Sequence, residues 1–109
     1  MLWGKTVNAG QACIAPDYIL VPREFQDTLV NALTEVYNEF YPDTEKRAAA
    51  SESFSRIISP QAYNRLAGLL DKTEGKVILG GDTNADEKYI APTVVRDVKG
   101  TDSLMSEWV

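Results

Sequence analysis

The sequence predicts an α/β fold in which helices flank a mostly parallel sheet to give three layers. Apolar runs of strand length at residues 18–21, 76–79 and 89–95 alternate with helical patterns at residues 22–41 and 59–74. Strands that alternate with helical stretches of ten or more residues are typical of units with a largely parallel sheet. Right-handed crossovers then place the helices against the faces of that sheet.

The pattern at residues 22–41 predicts a long amphipathic helix. Pro22 suits the first helical position because the N–H that proline lacks has no partner there. Pro42 ends the pattern at or near Tyr41, since proline cannot continue the hydrogen-bond ladder. Apolar residues recur at three-to-four spacing, which predicts one buried side. That side consists of Phe25, Leu29, Ala32, Leu33, Val36, Tyr37 and Phe40.

A second helix is predicted to begin at Ser59 and Pro60, where a capping hydroxyl precedes a proline at the first helical position. Before it, residues 43–50 are polar and then small, and Ser51 or Ser53 is a candidate cap for a short turn. The apolar side of the second helix, in which the aromatic Tyr63 is expected in the core, consists of Ala62, Tyr63, Leu66, Leu69 and Leu70.

Residues 76–79 predict a buried strand that follows a turn at Gly75 and stops at Gly80 and Gly81. These glycines have neither the spacing of the dinucleotide-binding fingerprint nor that of the P-loop, so they predict turns. Residues 82–86 are a cluster of turn-forming residues.

An extended segment is predicted at residues 89–95. Pro92 cannot donate to a strand ladder, so it is expected at an edge, a bulge or the start of a strand. Asp82 and Asp86 lie together in the preceding turn without the other ligands of a calcium loop, which indicates a solvated turn. The last residues, 104–109, show no pattern.

Composition limits the kind of protein that this chain forms. With 109 residues, 44% apolar and 25% charged, it is expected to be a single soluble domain. Its net charge of −5 disfavours nucleic acid and anionic membranes as partners. No apolar run is long enough to cross a bilayer, and residues 1–6 resemble the tail of a helix rather than a secretion signal.

The cysteine and histidine content excludes several kinds of site. One cysteine forms no disulfide within the chain, which suits a reducing compartment, so we expect a cytoplasmic protein. The absence of histidine removes Cys-His zinc sites and Cys-His or Ser-His catalytic pairs from the chain itself. The sequence therefore predicts no metal site.

That single cysteine, Cys13, is the candidate catalytic residue. Gly10 favours a tight backbone turn just before it, and the strand-like run at residues 18–21 follows. A thiol at the mouth of a turn is accessible, and cysteine is the most nucleophilic side chain near neutral pH. A lone cysteine is otherwise most often a small buried hydrophobe, so its neighbours decide the interpretation.

The segment around Cys13 resembles the active-site cysteine motif of the aldehyde dehydrogenases, in which Gly-Gln-x-Cys carries the nucleophile. Residues 8–20 are similar to the class 3 branch, which includes the fatty aldehyde enzymes. Residues 55–59, 77–81 and 88–95 resemble that branch at corresponding places. The likeness therefore extends over nearly the whole chain in the right order.

This resemblance implies an oxidation of an aldehyde to its acid with NAD or NADP. The Cys13 thiolate would attack the aldehyde carbon, with its own N–H as an oxyanion donor, and Asn8, Gly10 and Gln11 would shape the active-site loop. In the family, hydride leaves to the cofactor and a glutamate activates the water that hydrolyses the thioester. The addition needs a thiolate and aimed oxyanion donors.

The resemblance also implies that residues 1–109 are one partial catalytic domain without the cofactor-binding domain. The cofactor domain, the glutamate base and the amide of the oxyanion hole lie upstream of this motif in the family. Thr6 replaces the aromatic residue that opens the motif. Glu107 matches the first glutamate of the downstream motif, and Trp108 replaces the second, which holds the cofactor ribose. We therefore expect no cofactor-binding residue in this chain and no activity from it alone.

Two alternatives remain open at this point. One is a non-catalytic module that binds itself, as a homo-oligomer, or a partner through apolar surface and an unpaired sheet edge. The other is slow ester hydrolysis by Cys13, which needs a thiolate and an oxyanion donor but no cofactor. The parent enzyme is expected to take an aldehyde substrate, with a membrane anchor beyond this chain where the substrate is fatty.

Overall fold

The computed structural model describes residues 1–42 and 45–107, and it confirms the α/β class. Its helices are α1 at Leu2–Thr6, α2 at Gln26–Phe40 and α3 at Pro60–Lys72. Its strands are β1 at Lys76–Leu79, β2 at Thr83–Asn84, β3 at Tyr89–Ile90 and β4 at Val94–Arg96. Short 3₁₀ turns lie at Val7–Gly10, Arg23–Phe25, Arg47–Ala50 and Ser103–Met105.

The two long helices begin and end close to where local chemistry predicts. The Ser59 hydroxyl oxygen accepts the N–H of Ala62 at 3.1 Å, and Pro60 is the first residue of α3. Pro22 precedes the 3₁₀ turn that leads into α2, and Tyr41 caps its other end. A satisfied cap and a proline act within a single turn, so their effect does not depend on the rest of the fold.

The apolar side of α2 is narrower than predicted. Leu33 and Tyr37 are buried, but Phe25, Ala32 and Phe40 are exposed, so their assignment to the core is wrong. Phe25 lies in the turn ahead of the helix and Phe40 is its last residue. Ala32 lies about 100° around the axis from Leu33. In α3, by contrast, Tyr63 and Leu69 are buried as predicted.

The predicted mostly parallel sheet is not found among the described residues. For this part of the chain, that detail of the prediction is wrong. Strand β1 pairs with β4 and β2 pairs with β3, and both pairs are antiparallel. Between β1 and β4 the chain forms only the β2–β3 hairpin, with its turn at residues 85–88. A parallel pair needs a long crossover connection, and no such connection lies between these strands.

Residues 18–21 form no strand, contrary to the prediction. They run without regular structure, and Tyr18, Ile19 and Leu20 are exposed, Leu20 to 89%. A strand exists only when its backbone pairs with another, and no described residue supplies that pairing. The sequence of this run suits a strand, but the described part of the chain does not contain its neighbour.

The strand predicted at residues 76–79 is present as β1, but its first half is not buried. Lys76 is exposed, Val77 is exposed to 42%, and Ile78 and Leu79 are only half-buried. Pro92 lies between β3 and β4, where its missing N–H interrupts no ladder. The turn predicted at residues 82–86 is shifted, since Thr83–Asn84 is a short strand and the turn follows it.

The polar segments contain the short capped turns that the sequence partly predicts. The Ser51 hydroxyl oxygen accepts the N–H of Ser53 at 3.3 Å, beside the 3₁₀ turn Arg47–Ala50. Near the other end, the Asp102 carboxylate accepts the N–H of Leu104 and caps the turn Ser103–Met105, where we predicted no pattern. The predictions at positions 43, 44 and 108 lie outside the described residues.

A row of aromatic rings runs through the core from α2 to β3. Successive ring centres lie 5.5 Å, 5.9 Å and 5.9 Å apart, in edge-to-face geometry, from Tyr37 through Tyr41 and Phe54 to Tyr89. Such pairs add to the stabilisation that burial of their area provides. The row joins segments distant in sequence within one buried cluster that consists of Leu2, Leu33, Tyr37, Tyr41, Ala48, Phe54, Tyr89 and Ala91.

None of the helices in residues 1–42 and 45–107 is long and apolar enough to cross a membrane.

Candidate functional site

The backbone just before Cys13 has an unusual conformation. Asn8, Ala9 and Gly10 follow one another at φ values of 51°, 54° and 79°, all in the left-handed region. Glycine adopts this region freely and asparagine tolerates it, but an alanine there is strained. The tight turn that Gly10 predicts is therefore confirmed, and the strain implies that other contacts hold the turn in place.

Hydrogen bonds between Asn8 and Gln11 close this turn. The Gln11 backbone N–H and the Gln11 Nε2 both donate to the Asn8 carbonyl oxygen, at 3.1 Å and 3.0 Å. In return, Asn8 Nδ2 donates to the Gln11 carbonyl oxygen at 3.2 Å. The two side chains thus stabilise a backbone that alanine or leucine at these positions would leave without partners.

Gly10 is needed here for two reasons. A side chain at this φ is disfavoured, and a Cβ would lie 3.2 Å from both Cε and the carbonyl oxygen of Lys5 in α1. Burial lowers the pKa of Lys5, and the Asp17 carboxylate opposes that shift. The loop therefore packs closely against α1.

Cys13 is exposed and lies in the next turn of the loop. The Ala15 N–H donates to the Ala12 carbonyl oxygen at 3.0 Å, so Cys13 and Ile14 are the two central residues of a hydrogen-bonded four-residue turn. No group within residues 1–42 and 45–107 accepts the Cys13 backbone N–H. The accessible thiol that the sequence predicts is therefore present, and the N–H beside it has no acceptor in the described part of the chain.

Gln11 also ties the loop to the segment that precedes α3. Its Nε2 donates to the Arg56 carbonyl oxygen at 3.0 Å, and its Oε1 accepts the Ile58 N–H at 2.8 Å. The amide thus spans Ile57, which is itself buried and whose N–H donates to the Lys88 carbonyl oxygen at 2.9 Å. The Gln11 side chain therefore contacts one distant segment directly, and Ile57 connects that segment to Lys88.

Arg56 is the residue at this contact that the sequence does not single out. Its Nη1 donates to the Phe54 carbonyl oxygen at 3.2 Å and its Nη2 to the Ala49 carbonyl oxygen at 3.1 Å. Its guanidinium carbon lies 4.9 Å from the centre of the Tyr89 ring. Arg56 occurs in one of the segments that carry the resemblance, but a single arginine between apolar residues gives no periodic signal of its role.

The predicted site residues thus form one loop, and the other candidates lie elsewhere. Asn8, Gly10 and Gln11 are mutually bonded, and Cys13 follows in the adjoining turn. The Glu107 carboxylate pairs with Arg65 of α3 at 3.3 Å and is half-exposed.

Gly80 and Gly81 do not form an open loop of the kind that binds dinucleotide phosphates. Gly80 and Gly81 have φ values of 71° and 89°, but close packing uses both positions. A Cβ on Gly80 would overlap the Pro92 carbonyl oxygen, and one on Gly81 would lie 3.3 Å from Val77. The glycines therefore form a packed turn rather than an open phosphate cradle. Residues 1–42 and 45–107 also hold no group of three His, Cys, Asp or Glu side chains that could bind a metal.

Fold and loop together define an α/β protein that carries an exposed cysteine on a hydrogen-bonded turn. The sequence profile of the aldehyde dehydrogenase family matches residues 1–108. The chain is 44% identical to aldehyde dehydrogenase family 3 member B1 of Mus musculus over 96% of its own length. It is 37% identical to the beta-apo-4'-carotenal oxygenase of Neurospora crassa over 98% of its length. The chain therefore belongs to the aldehyde dehydrogenase family, and its likeness to a class 3 member confirms the predicted branch.

A solved structure supports the same assignment. The substrate-bound state of Staphylococcus aureus AldH superposes with a TM-score of 0.88, at 37% identity over 97% of this chain. The chain covers 22% of that structure, 21% of the mouse relative and 20% of the Neurospora relative. It thus corresponds to about a fifth of each of these proteins.

Proposed function

We propose that this chain is the nucleophile-bearing part of the catalytic domain of an aldehyde dehydrogenase, in which Cys13 attacks the aldehyde. The parent reaction is the NAD(P)-dependent oxidation of an aldehyde to a carboxylic acid. The observation that carries the proposal is the exposed thiol of Cys13 in a turn that Gln11 and Asn8 hold in place. Family membership supplies the reaction class.

The step assigned to this chain is the addition to the carbonyl group. The Cys13 thiolate forms a bond from Sγ to the carbonyl carbon, and the electron pair of the C=O π bond moves to the oxygen. The free N–H of Cys13 is a donor for the oxyanion that results, since no described residue accepts it. A fixed donor costs no reorganisation when the charge develops. Because the resemblance places the cofactor domain and the glutamate base upstream of this motif, no later step is assigned to this chain.

The substrate that we propose is a long apolar aldehyde. Ile14 follows Cys13 in the turn and is exposed to 90%, and Ile58, which binds the Gln11 amide, is exposed to 82%. Exposed apolar side chains in the loop and in the segment bonded to it suit a hydrocarbon chain better than a polar one. The Neurospora relative is a beta-apo-4'-carotenal oxygenase, and a carotenal is a long apolar aldehyde.

A protection experiment tests the addition step without any cofactor. Cys13 is alkylated with iodoacetamide in the presence of dodecanal, and in parallel with dodecanol, which has the same chain but no carbonyl group. We expect the aldehyde to slow alkylation and the alcohol to have little effect, because only the aldehyde forms a bond to sulfur. Equal rates with both compounds would show that Cys13 adds to no aldehyde under these conditions, which contradicts the proposal.

A second assay tests the expected lack of turnover by the chain alone. Production of NADH or NADPH is followed with medium-chain and long-chain aldehydes, using wild-type chain and the Cys13→Ser variant. We expect no production from either, because the residues that the family uses for the cofactor and for the base find no match here. Cys13-dependent turnover by the chain alone would overturn this part of the proposal.

The second candidate function is a module that associates with itself or with a partner. The exposed run at residues 18–21, with Leu20 at 89% exposure, favours it because an unpaired extended backbone beside apolar side chains can add to another strand. Light scattering after gel filtration distinguishes the two functions. A mass above 12.1 kDa that falls to the monomer value in Leu20→Asp supports association through this run.

A further inference from the structure

The loop that carries Cys13 is fastened to a segment 45 positions further along the chain. Gln11 Nε2 donates to the Arg56 carbonyl oxygen, and Gln11 Oε1 accepts the Ile58 N–H. A primary amide has both donors and acceptors, and this one uses both kinds at once. Rotating the amide by half a turn would place its oxygen against the Arg56 carbonyl oxygen and its NH₂ group against the Ile58 N–H. The contact therefore fixes the orientation of the amide as well as its position.

The segment that binds the Gln11 amide, residues 56–58, is itself held in place by the side chain of Arg56. The guanidinium donates to the carbonyl oxygens of Phe54 and Ala49 and lies over the ring of Tyr89. These contacts use the planar fork of arginine, its several donors and its ability to stack on an aromatic face. A lysine at this place keeps the charge but cannot make the three contacts together.

Burial fixes this segment from the other side. Ile57 is 3% exposed, and its N–H bonds to the Lys88 carbonyl oxygen next to Tyr89. Ile57, which lies between the two groups that bind Gln11, is therefore fixed in the core by its burial and by this hydrogen bond. The aromatic row that ends at Tyr89 continues through Arg56 to Gln11 and from there into the turn before Cys13.

We propose that Arg56 is a positioning residue for the Cys13 loop. It acts through Gln11, because its side chain fixes the carbonyl oxygen and the neighbouring N–H that hold the Gln11 amide. Gln11 in turn stabilises the left-handed backbone at Asn8 and Ala9, which leads directly to the turn of Cys13. The relevance to catalysis rests on the proposed function, but the positioning itself is measurable without aldehyde or cofactor.

The test replaces arginine with lysine and measures amide hydrogen exchange. In Arg56→Lys we expect the Ile58 N–H to exchange roughly fivefold faster or more, since its bond to Gln11 is weakened. The Ala62 N–H, which bonds to the Ser59 hydroxyl oxygen only a few residues away, should keep its rate. The exposed Arg23→Lys is the matched control and should change neither rate. Equal acceleration at Ile58 and Ala62 would show a general loss of stability instead, and would overturn the proposal.

The effect on the thiol is read from the rate of alkylation of Cys13 by iodoacetamide. The reference is a peptide of residues 8–17, in which nothing holds the loop. We expect the wild-type rate to differ from the rate of the peptide and Arg56→Lys to remove most of that difference. A wild-type rate equal to that of the peptide would overturn the proposal, as would a faster Ile58 exchange with an unchanged Cys13 rate.

A double-mutant comparison shows whether Arg56 acts through Gln11. Gln11→Met keeps the unbranched shape and removes the hydrogen bonds without touching the core. It should by itself reproduce both the Ile58 and the Cys13 changes, which keeps the test valid if Arg56→Lys folds poorly. In the Gln11→Met background, Arg56→Lys should have no further effect on the alkylation rate. Effects that simply multiply would mean two independent roles and would contradict the proposal.

Discussion

The guanidinium carbon of Arg56 lies 4.9 Å from the centre of the Tyr89 ring, at the point where the core meets the cysteine loop. Tyr89 is buried and ends the aromatic row, whereas the backbone of Arg56 binds Gln11. The two residues come from different segments that resemble the family. Their contact therefore connects these two segments, through Gln11, to the loop that carries Cys13.

The first prediction concerns stability at alkaline pH. Burial is the largest effect that raises the pKa of Tyr89 to about 12, and the nearby Tyr37 and Asp82 add to it. The Arg56 guanidinium has a weaker, opposite effect on this pKa. The folded state thus holds this proton more tightly than the unfolded state, in which tyrosine has a pKa of about 10. The stabilisation is complete below pH 10 and is lost as pH rises through 12. Urea unfolding across this range should show a steeper decline for wild type than for Tyr89→Phe.

The control for this prediction is Tyr18→Phe, which removes an exposed tyrosine from the unstructured run. Its stability should decline with pH as steeply as that of wild type. Burial also raises the pKa of Tyr37, so Tyr89→Phe should reduce the decline rather than abolish it. Parallel curves for wild type and Tyr89→Phe would show that Tyr89 ionises equally well in both states.

The second prediction uses two glycines in opposite surroundings. Gly80 has a φ of 71°, and a Cβ there would overlap the Pro92 carbonyl oxygen, whereas a Cβ on Gly100 would meet nothing within 4 Å. Gly80→Ala should destabilise the fold by more than about 2 kcal/mol, from backbone strain together with the overlap. Gly100→Ala should be neutral or stabilising by up to about 1 kcal/mol, because it restricts the unfolded chain. Urea unfolding of both variants gives the comparison, and similar values would contradict the packed turn at Gly80.

The third prediction concerns acid. Asp102 joins the end of α3 to the last 3₁₀ turn, since its carboxylate accepts from Thr73, Glu74 and Leu104 at 2.8–3.0 Å. The Leu104 N–H is the largest cause that lowers the pKa of Asp102. The stabilisation is therefore present above the unfolded pKa of about 4 and is lost as pH falls through the lower folded value.

The variant that tests this prediction is Asp102→Asn, which keeps an acceptor oxygen but not the charge. It should be less stable than wild type at pH 7, and the difference should shrink as pH falls towards 2. Glu87→Gln, an exposed acid in the hairpin turn, serves as the control and should show no such convergence. A gap between wild type and Asp102→Asn that stays constant with pH would mean that the charge of Asp102 contributes nothing.

How much of this fold the sequence predicts depends on the range of the interaction concerned. The start of α3 is predicted because Ser59 and Pro60 act within one turn. The long helix α2 is predicted because its apolar spacing is regular over many residues, although its end positions are exposed. The run at residues 18–21 has the composition of a strand but not the partner. Pairing is a property of two segments, and composition of one segment cannot supply it.

The candidate site divides in the same way. The Gly10 turn and the exposed thiol of Cys13 follow from local sequence and are confirmed. The catalytic role of Cys13 stays a prediction. The role of Arg56 could not be predicted from the sequence. Its partners are Phe54, Ala49 and Tyr89, and only the folded chain brings them together. A charged residue in a short apolar segment is usually a solvated one, and this arginine is only partly exposed.

The last prediction concerns a buried hydroxyl group in the aromatic row. Tyr37 is 3% exposed, and its hydroxyl oxygen has no hydrogen-bond partner within residues 1–42 and 45–107. Burial of such a group without a partner costs about 1–3 kcal/mol. Tyr37→Phe removes the group and keeps the ring, with its edge contact to Tyr41 and the Arg47 guanidinium 5.7 Å from its centre. We therefore expect the free energy of unfolding to stay equal or to rise by up to about 1 kcal/mol.

Tyr37→Leu separates the hydroxyl from the ring. This substitution removes the hydroxyl and the ring, so the edge contact to Tyr41 and the contact with the Arg47 guanidinium are both lost. The variant should be destabilised by about 2 kcal/mol or more through the lost packing. Urea unfolding of the two variants beside wild type at pH 7 provides the measurement. If Tyr37→Phe instead lost about 1 kcal/mol or more, the hydroxyl would have a partner in solution and the row would depend on that bond as well as on its rings.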